Sequence, residues 1–439
     1  MKVLKFGGTS VGSVERIKEV AKLITDGERN IVVLSAMSGT TNTLVEISNY
    51  LSQKNPGGAN EIINKLEAKY KQTVDSLFST DEYKQKALGI LKTHFDELRL
   101  LTKDMFTLFE EKVVLSKGEL LSTNLMQLYL NEQHVASVLL PALDFMRTDR
   151  NNEPDAVYIK DKLQTMLDTY PDTKLFITQG YICRNAYGEI DNLQRGGSDY
   201  SASLIGAAAG ASEIQIWTDI DGMHNNDPRF VDHTQPVRHL LFEEAAELAY
   251  FGAKILHPTC IQPAKYANIP VRLLNTMDPS APGTLISNST EQGMIKAVAA
   301  KDNITAIKIK SSRMLLAYGF LRKVFEIFES YRTSIDMICT SEVGVSITID
   351  NTTHLKDILA DLKKYGTVTV DHDMCIICIV GDLEWDNVGF EAKAIEAMGD
   401  IQVRMISYGG SNYNISMLIR QEDKKKALQS LSDKLFANK

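Results

Sequence analysis

Several short segments combine cationic side chains, glycine turns and hydroxyls in ways that suit phosphate chemistry. Lys5-Phe-Gly-Gly-Thr-Ser10 falls between an apolar alternation and a helical pattern. Gly7 and Gly8 there let the backbone N–H groups of Gly7, Gly8, Thr9 and Ser10 approach phosphate oxygens, and the helix beyond adds a favourable field. Lys5 supplies a point charge for a transferring phosphoryl group. The Walker pattern is absent, since it needs Gly-Lys-Ser/Thr after a longer spacer, and taken alone a Gly-Gly after a strand is equally an ordinary turn. Ser35-Ala-Met-Ser-Gly-Thr-Thr-Asn42 follows the next strand with small hydroxyl and amide donors. It lies where open α/β sheets bind ligands, or is simply a Ser/Thr-rich turn. Gln194-Arg-Gly-Gly-Ser-Asp-Tyr200 is more specific. Arg195 is suited to a two-pronged grip on a carboxylate, and Asp199 to orienting cations or capping the next helix. Trp217-Thr-Asp-Ile-Asp-Gly-Met-His224 could hold a base and ribose, with Arg229 of Asp227-Pro-Arg229 reaching a phosphate. Phe251-Gly-Ala-Lys-Ile-Leu-His-Pro258 brings a second lysine, Lys254, although a lone lysine is more often a solvated charge. His257, before proline, reads as a packing or turn residue.

The elements that must position these residues follow from periodicity. Lys2 to Phe6 reads as a strand and Gly7-Gly8 as a turn. Ser13 can cap a helix carrying Val14, Ile17, Val20, Ala21 and Ile24 at helical spacing, with Gly27 as its stop. Ile31–Leu34 is a buried strand, and such βαβ alternation predicts a mostly parallel sheet with helices on both faces. Residues 43–133 are helix-rich, and Ile62, Leu66, Tyr70, Val74 and Leu77 form one amphipathic core stripe. Strands are expected at Val135–Leu140, Leu175–Thr178 and Ile214–Thr218. A small-residue helix is expected through Ser201–Gly210 and another helix over Leu241–Ala253. Beyond about residue 293, strands at Ile304–Ile309, Val345–Ile349, Thr367–Val370, Cys375–Val380 and Ile415–Ile419 alternate with helices such as Leu321–Ser330 and Leu355–Tyr365. Two rounds of an α+β ferredoxin-like layout result. A weak repeat, Ser334–Ile338 after one helix and Ile401–Ile406 after another, supports duplication.

Length and composition set limits. A chain of 439 residues exceeds one hydrophobic core, so two or three domains are expected. A net charge of −8 argues against a broad nucleic-acid surface. No signal-peptide pattern and no run of about 18 apolar residues appears, so neither secretion nor a membrane partner is expected. Five scattered cysteines suit a reducing cytoplasm. Cys375-Ile-Ile-Cys378 lies in a β-branched run where positions three apart face opposite ways, so it reads as a buried strand and not a metal pair.

Taken together, the segments resemble the aspartokinase family over essentially the whole chain. The resemblance rests on Lys5-Phe-Gly-Gly-Thr-Ser-Val11, Lys117-Gly-Glu-Leu-Leu-Ser-Thr123, Thr178-Gln-Gly-Tyr181, Arg195-Gly-Gly-Ser-Asp-Tyr200, Trp217-Thr-Asp219, Asp227-Pro-Arg229 and Phe251-Gly-Ala-Lys-Ile-Leu-His-Pro258. It implies an α/β amino-acid-kinase fold (three layers, mostly parallel sheet) over residues 1–292. Two interleaved ferredoxin-like ACT domains follow in 293–439, the first about 308–382 and the second about 293–307 plus 383–439. The implied reaction moves the ATP γ-phosphoryl group to the side-chain carboxylate of L-aspartate with Mg²⁺, the first step toward lysine, threonine and methionine. Under that resemblance Lys5 and Lys254 stabilise the phosphoryl group and Asp199 holds both lysines. Glu119 and Arg195 bind the substrate's amino and carboxylate groups, with Ser35, Thr41, Tyr181 and Ser198 nearby, and Thr218, Asp219 and Arg229 face the nucleotide. Gly222-Met223-His224 departs from the usual Gly-Ile-Tyr, leaving the role of His224 open.

Met314, Phe320, Leu321, Ser334, Ile335, Asp336, Ser341, Glu342 and Val343 align with the effector pocket of lysine-inhibited members. Ala317 replaces a serine often found there, so threonine stays open as an alternative effector. The family's ACT pairs associate side by side, so a homodimer or larger assembly is expected. No second Gly-x-Gly-x-x-Gly unit is present, so no fused homoserine dehydrogenase is expected. The alternatives are a kinase of glutamate, N-acetylglutamate or carbamate, or an inactive amino-acid sensor.

Overall fold

A computed structural model describes residues 1–193, 196–252, 257–289, 294–311, 318–383 and 388–436. The chain forms two compact units, Met1–Met223 with Ile255–Ser289, and His224–Lys254 with Thr290–Lys439. In the first, the strand Lys2–Phe6 pairs in parallel with Asn30–Leu34 on one side and Glu213–Thr218 on the other. Leu175–Gln179 and then Ser137–Leu140 extend the sheet beyond Asn30–Leu34, and Val271–Asn275 extends it beyond Glu213–Thr218, all in parallel. Thr284–Ser287 adds an antiparallel strand. The expected mostly parallel sheet is therefore present. Parallel strands share one carboxyl edge, so the segments after Phe6, Leu34, Gln179 and Thr218 emerge together.

Side-chain alternation along the strands puts helices on both faces. Leu4, Phe6, Val32 and Leu34 join one core with the helices Val14–Leu23, Thr40–Ser52, Pro56–Leu77, Asp81–Leu101 and Leu108–Glu132. Leu66, Tyr70, Val74 and Leu77 belong to that core, as their spacing predicts. On the opposite face the helix Gly197–Ala209 lies so close that a Cβ on Gly206 would stand 2.5 Å from Ile214 Cδ1 and 3.9 Å from Val3 Cγ2. The small-residue run thus serves close helix–sheet packing. Ser13 caps Val14–Leu23 as expected, its hydroxyl accepting from the Arg16 N–H at 3.4 Å. That helix stops at Leu23, before Gly27: the Thr25 N–H has moved to the i−3 carbonyl of Lys22 at 3.4 Å, and Gly27 instead takes a φ of +83° in the turn. The strand expected from Val135 starts at Ser137, since the Val135 N–H still closes the preceding helix by bonding Leu130 O at 2.9 Å.

In the second unit the helix Phe242–Tyr250 is shorter than its spacing predicts. Gly252 ends the possibility of extending it: φ is +120°, and a Cβ would lie 2.3 Å from Ala300 O. The C-terminal strands form one sheet in the order 338–341, 344–349, 295–310, 367–381, 414–420, 405–407. Two stretches expected as separate strands, Thr367–Val370 and Cys375–Val380, are one strand, Thr367–Gly381. The pattern breaks between them because the register shifts beside Met374 and Asp373 adopts φ +54°. Ile295–Lys310 is continuous in the same way. Its second half pairs with Gly344–Ile349 and backs a core of Ile307, Ile309, Val324, Phe328, Val345 and Ile347. Its first half pairs with the end of Thr367–Gly381 over a core containing Val298, Ile377, Ile379, Met417 and Leu428. Two modules therefore share both central strands. Val231, from the 224–254 segment, is buried in the second core. Cys375 and Cys378 are buried free thiols in that shared strand, a structural role as the sequence indicates.

One contact in the first unit is tight enough to test. A Cβ on Gly118, inside the helix Leu108–Glu132, would fall 2.7 Å from Ala36 Cβ. Alanine normally gains about 1 kcal/mol over glycine within a helix. Here Gly118→Ala is expected to lower stability by ~1–3 kcal/mol through overpacking, read by urea unfolding; a gain in stability would contradict the close approach.

Candidate active site

At the carboxyl edge of the sheet the first glycine turn holds its own lysine. Lys5 is 9% exposed, and its Nζ lies 2.7 Å from Asp199 Oδ1. Asp199 sits in the first turn of the helix Gly197–Ala209, whose cap is Gly196 at φ +89°, so its carboxylate serves Lys5 and not the helix cap. A Cβ on Gly196 would overlap the Cys260 sulfur at 2.1 Å. Burial, then the Asp199 charge, pushes the Cys260 thiol up to about 12, keeping it protonated and inert. A Cβ on Gly7 would lie 3.4 Å from Lys5 Nζ, so the ammonium stands beside the turn. The N–H groups of Gly8 and Thr9 have no partner among the described residues, leaving two backbone donors for an anion. The Ser10 hydroxyl, by contrast, is fully buried and bonded to Thr276 Oγ1 at 2.7 Å, so it braces the turn.

The second turn meets the first, since a Cβ on Gly8 would come 2.9 Å from Ala36 O. Ala36 in turn donates its N–H to Glu119 Oε1 at 3.2 Å. Glu119 is 4% exposed and its Oε2 is buried without a partner. Burial raises its pKa to about 7, against the opposing pull of the Ala36 N–H and the Lys5 charge. An unpaired buried carboxylate oxygen is costly, and an ammonium group is the natural partner for it. Glycine 118 is what lets the helix bring Glu119 this close. Ser122, one turn on, donates to Ser35 O at 2.7 Å and fixes the same loop.

Tyr181 holds φ +67° just after Gly180, where a Cβ would strike Ser198 Cβ at 2.4 Å. Ser198 is thereby packed against the third turn, and burial keeps the Tyr181 phenol up to about 12. Ser35 is half-buried, whereas Thr41 is exposed on the helix Thr40–Ser52; its neighbour Thr40 is the buried one, bonded to Tyr70. Thr218 shapes the fourth turn, accepting from the Ile220 N–H at 3.2 Å, and Asp219 is exposed beyond it. Arg195 and Lys254 lie outside the described residues.

His224 and Arg229 belong to the second unit. His224 Nδ1 pairs with Thr234 Oγ1 at 2.8 Å, and Arg229 forks onto Asp227 at 2.6 and 2.9 Å. His257 acts as expected of a turn residue, accepting from the Thr259 N–H at the start of a 3₁₀ turn. Among the effector-type residues, Ser334, Ser341, Glu342 and Val343 are exposed, Leu321 is partly so, and Ile335 packs at the module's margin. The Phe320 ring is buried in the first module's core. The Asp336 side chain is 1% exposed and pairs with Lys301 Nζ at 2.6 Å. Met314, like Ala317, lies outside the described residues.

Sequence reasoning passed over Ala36, Ser122, Cys260 and Thr276. Backbone donors carry no residue-type signal, which hides Ala36. Gln179 explains part of two motifs: it donates to Thr123 Oγ1 at 2.7 Å and accepts from the Ala142 N–H at 2.8 Å, tying the Lys117–Thr123 helix to the Thr178–Tyr181 strand.

The chain matches the amino acid kinase family over residues 1–275 and an ACT domain over 377–435. It is 34% identical to aspartokinase 1, chloroplastic, of Arabidopsis thaliana, over 99% of this chain and 80% of that one. It is 33% identical to lysine-sensitive aspartokinase 3 of Escherichia coli, over 99% of both. The solved structure of E. coli aspartokinase III in complex with aspartate and ADP superposes with a TM-score of 0.84 at 32% identity, covering 99% of this chain and 100% of that one. Buried Lys5 paired to Asp199, Glu119 delivered to the second turn and two ACT-type modules sharing a sheet agree with these likenesses, and the chain belongs to the aspartokinases of the amino acid kinase family.

Proposed function

We propose that this protein transfers the γ-phosphoryl group of ATP to the β-carboxylate of L-aspartate, giving 4-phospho-L-aspartate, the entry to lysine, threonine and methionine synthesis. The observation that carries the reading is the Lys5–Asp199 pair beside the free N–H groups of Gly8 and Thr9, next to a buried carboxylate with one unpaired oxygen. Phosphoryl transfer asks for positioning and charge neutralisation. Lys5 supplies a fixed positive charge, and Asp199 holds it toward the turn. The N–H groups of Gly8 and Thr9 orient phosphate oxygens. Glu119 takes the substrate ammonium and Arg195 its α-carboxylate, which leaves the β-carboxylate, already ionised at neutral pH, free to attack. Ser35, Thr41, Tyr181 and Ser198 border that acceptor, while Thr218, Asp219, His224 and Arg229 serve the nucleotide.

No group of three or more metal-ligating side chains lies among the described residues. Mg²⁺ suits such a site when it arrives on the triphosphate and keeps several waters. Bound there it neutralises phosphate charge. Catalysis is assigned to residues 1–292, with Lys254 as a second cation, and amino-acid sensing to 293–439. The solved structure of E. coli aspartokinase III in complex with lysine and aspartate, 33% identical with a TM-score of 0.82, supports lysine as the effector. A cytoplasmic homodimer or larger assembly through the ACT modules is the matching setting. No helix among the described residues is long and apolar enough to cross a membrane.

Three outcomes follow. Lys5→Ala and Asp199→Ala should each lower kcat by about 10²-fold or more, the scale of a lost electrostatic stabiliser, with circular dichroism unchanged; near-native turnover in either would remove that residue's role. Because Glu119 is held near 7 and only its ionised form attracts an ammonium, kcat/KM for aspartate should fall as pH drops below about 7, approaching ~10-fold per unit. Glu119→Gln should erase that step, and a flat wild-type profile between pH 8 and 5.5 would contradict it. Millimolar lysine should inhibit, and Glu342→Lys should relieve the inhibition by repelling the cation; equal inhibition of both proteins would sink that assignment.

A further inference from the structure

Within the second unit, the Asp336 side chain is 1% exposed; its Oδ1 is already engaged, while its Oδ2 is buried without a partner among the described residues. Lys301 Nζ lies 2.6 Å from Asp336 Oδ1 and 2.9 Å from Asp350. The Tyr250 hydroxyl donates to Asp336 Oδ1 at 2.9 Å, and the Lys301 ammonium rests 4.4 Å from the Tyr250 ring centre. Tyr250 is the last residue of the helix Phe242–Tyr250. Its ring meets Phe251 edge-on at 5.0 Å, Phe251 is 5% exposed, and Gly252 is pressed onto Ala300, the residue before Lys301. The chain then runs directly into Lys254.

The duplicated module supplies an internal comparison. Asp336 donates its N–H to Thr348 O at 2.9 Å, and Arg404 donates its N–H to Leu418 O at 2.7 Å at the matching place. Across the shared strands Lys301 corresponds to Asp371, which pairs with Arg404 at 2.9 Å, and Asp350 corresponds to Arg420. The charges are inverted, and among the described residues no tyrosine reaches this second pair. It opens instead onto a cavity of about 670 Å³ lined by Asp371, Arg404 and Arg420 among others. The contact from Tyr250 is therefore not a generic feature of the ferredoxin-like module. It is specific to the copy that carries the effector-type residues.

We propose that the Asp336 carboxylate is a shared acceptor: it holds Tyr250 and Lys301, and an amino acid bearing a terminal ammonium acts by taking their place. Lys301 is a built-in competitor for the effector, with the same ammonium chemistry. Displacement removes the hydrogen bond that anchors Tyr250, and with it the fixed end of the helix leading through Phe251 and Gly252 toward Lys254. Tyr250 is 41% exposed, so its hydroxyl can pass to water when released, while Asp336 stays buried and must keep a cation. Tyr250 is thus a positioning residue for catalysis, and its anchor is what the effector competes for. The inference rests on lysine acting at the ACT modules, as proposed above, with Asp336 in the effector pocket that the family resemblance implies.

The test is lysine inhibition of ATP- and aspartate-dependent ADP release in the full-length protein, comparing wild type, Tyr250→Phe, Lys301→Met and Asp336→Asn. Tyr250→Phe keeps the ring and removes one hydrogen bond to a carboxylate, so the half-inhibiting lysine concentration should fall about tenfold. Lys301→Met should lower it as well, by removing the competitor, and Asp336→Asn should raise it steeply. A merely structural role would damage the site and raise the value in all three. If Asp336→Asn loses inhibition while Tyr250→Phe and Lys301→Met are unchanged or need more lysine, the shared-acceptor proposal is overturned and the effector reading survives. If wild type ignores lysine, both fall.

Discussion

The ion pair between Lys5 and Asp199 is the constraint that the sheet, the helix and the glycines of the first unit combine to hold. Withdrawing two charges from water costs several kcal/mol per ion in practice, and attraction offsets this only with good geometry. The 2.7 Å separation is secured from several directions. Lys5 sits on the strand Lys2–Phe6, which has parallel partners on both sides, and Asp199 starts a helix whose glycines let it lie against the same sheet. Gly196 and Gly180 remove the Cβ atoms that would push that helix away. In the proposed reaction, a charge held this firmly needs little reorganisation to meet a phosphoryl group, which is the economy that electrostatic catalysis exploits.

The same constraint explains what the sequence disclosed. The parallel sheet was legible because Val3, Leu4 and Phe6, Ile31–Leu34 and Ile214–Trp217 are apolar runs separated by helical periods. Lys5, Gly7, Gly8 and Asp199 were legible as types suited to phosphate. Their partnership was not, since nearly two hundred residues separate Lys5 from Asp199 and no local period links them; the family resemblance supplied it. Ser10 and Phe320 show the opposite limit. Each lies in a motif, yet one hydroxyl braces Thr276 and one ring fills a core, because a motif preserves packing residues along with contacting ones. The merged strand Thr367–Gly381 was split by its polar centre, Asp371 to Asp373, where a shifted register keeps the ladder running through residues that look like a turn.

In the second unit, the 224–254 segment is built into the ferredoxin-like modules. Val231 is buried in the core of the second module, and Gly252 is pressed against the shared strand Ile295–Lys310. Segments that resemble nucleotide and phosphoryl contacts are thus built on the ferredoxin-like modules. A ligand with different affinity for two arrangements of those modules would bias these segments directly. The inverted pairs Lys301–Asp336 and Asp371–Arg404 distinguish the two copies: Tyr250 bonds the first, and among the described residues no tyrosine reaches the second.

The central claim is that the acceptor is the side-chain carboxylate of aspartate. Acyl phosphates react with hydroxylamine to give hydroxamates, so trapping in the presence of ATP identifies the acceptor without relying on ADP alone. With aspartate, glutamate and N-acetylglutamate offered separately to the purified protein, the account predicts ATP-dependent β-aspartyl hydroxamate, absent with Lys5→Ala, and no comparable product from the other two. Hydroxamate formed from glutamate or N-acetylglutamate in preference to aspartate would contradict it.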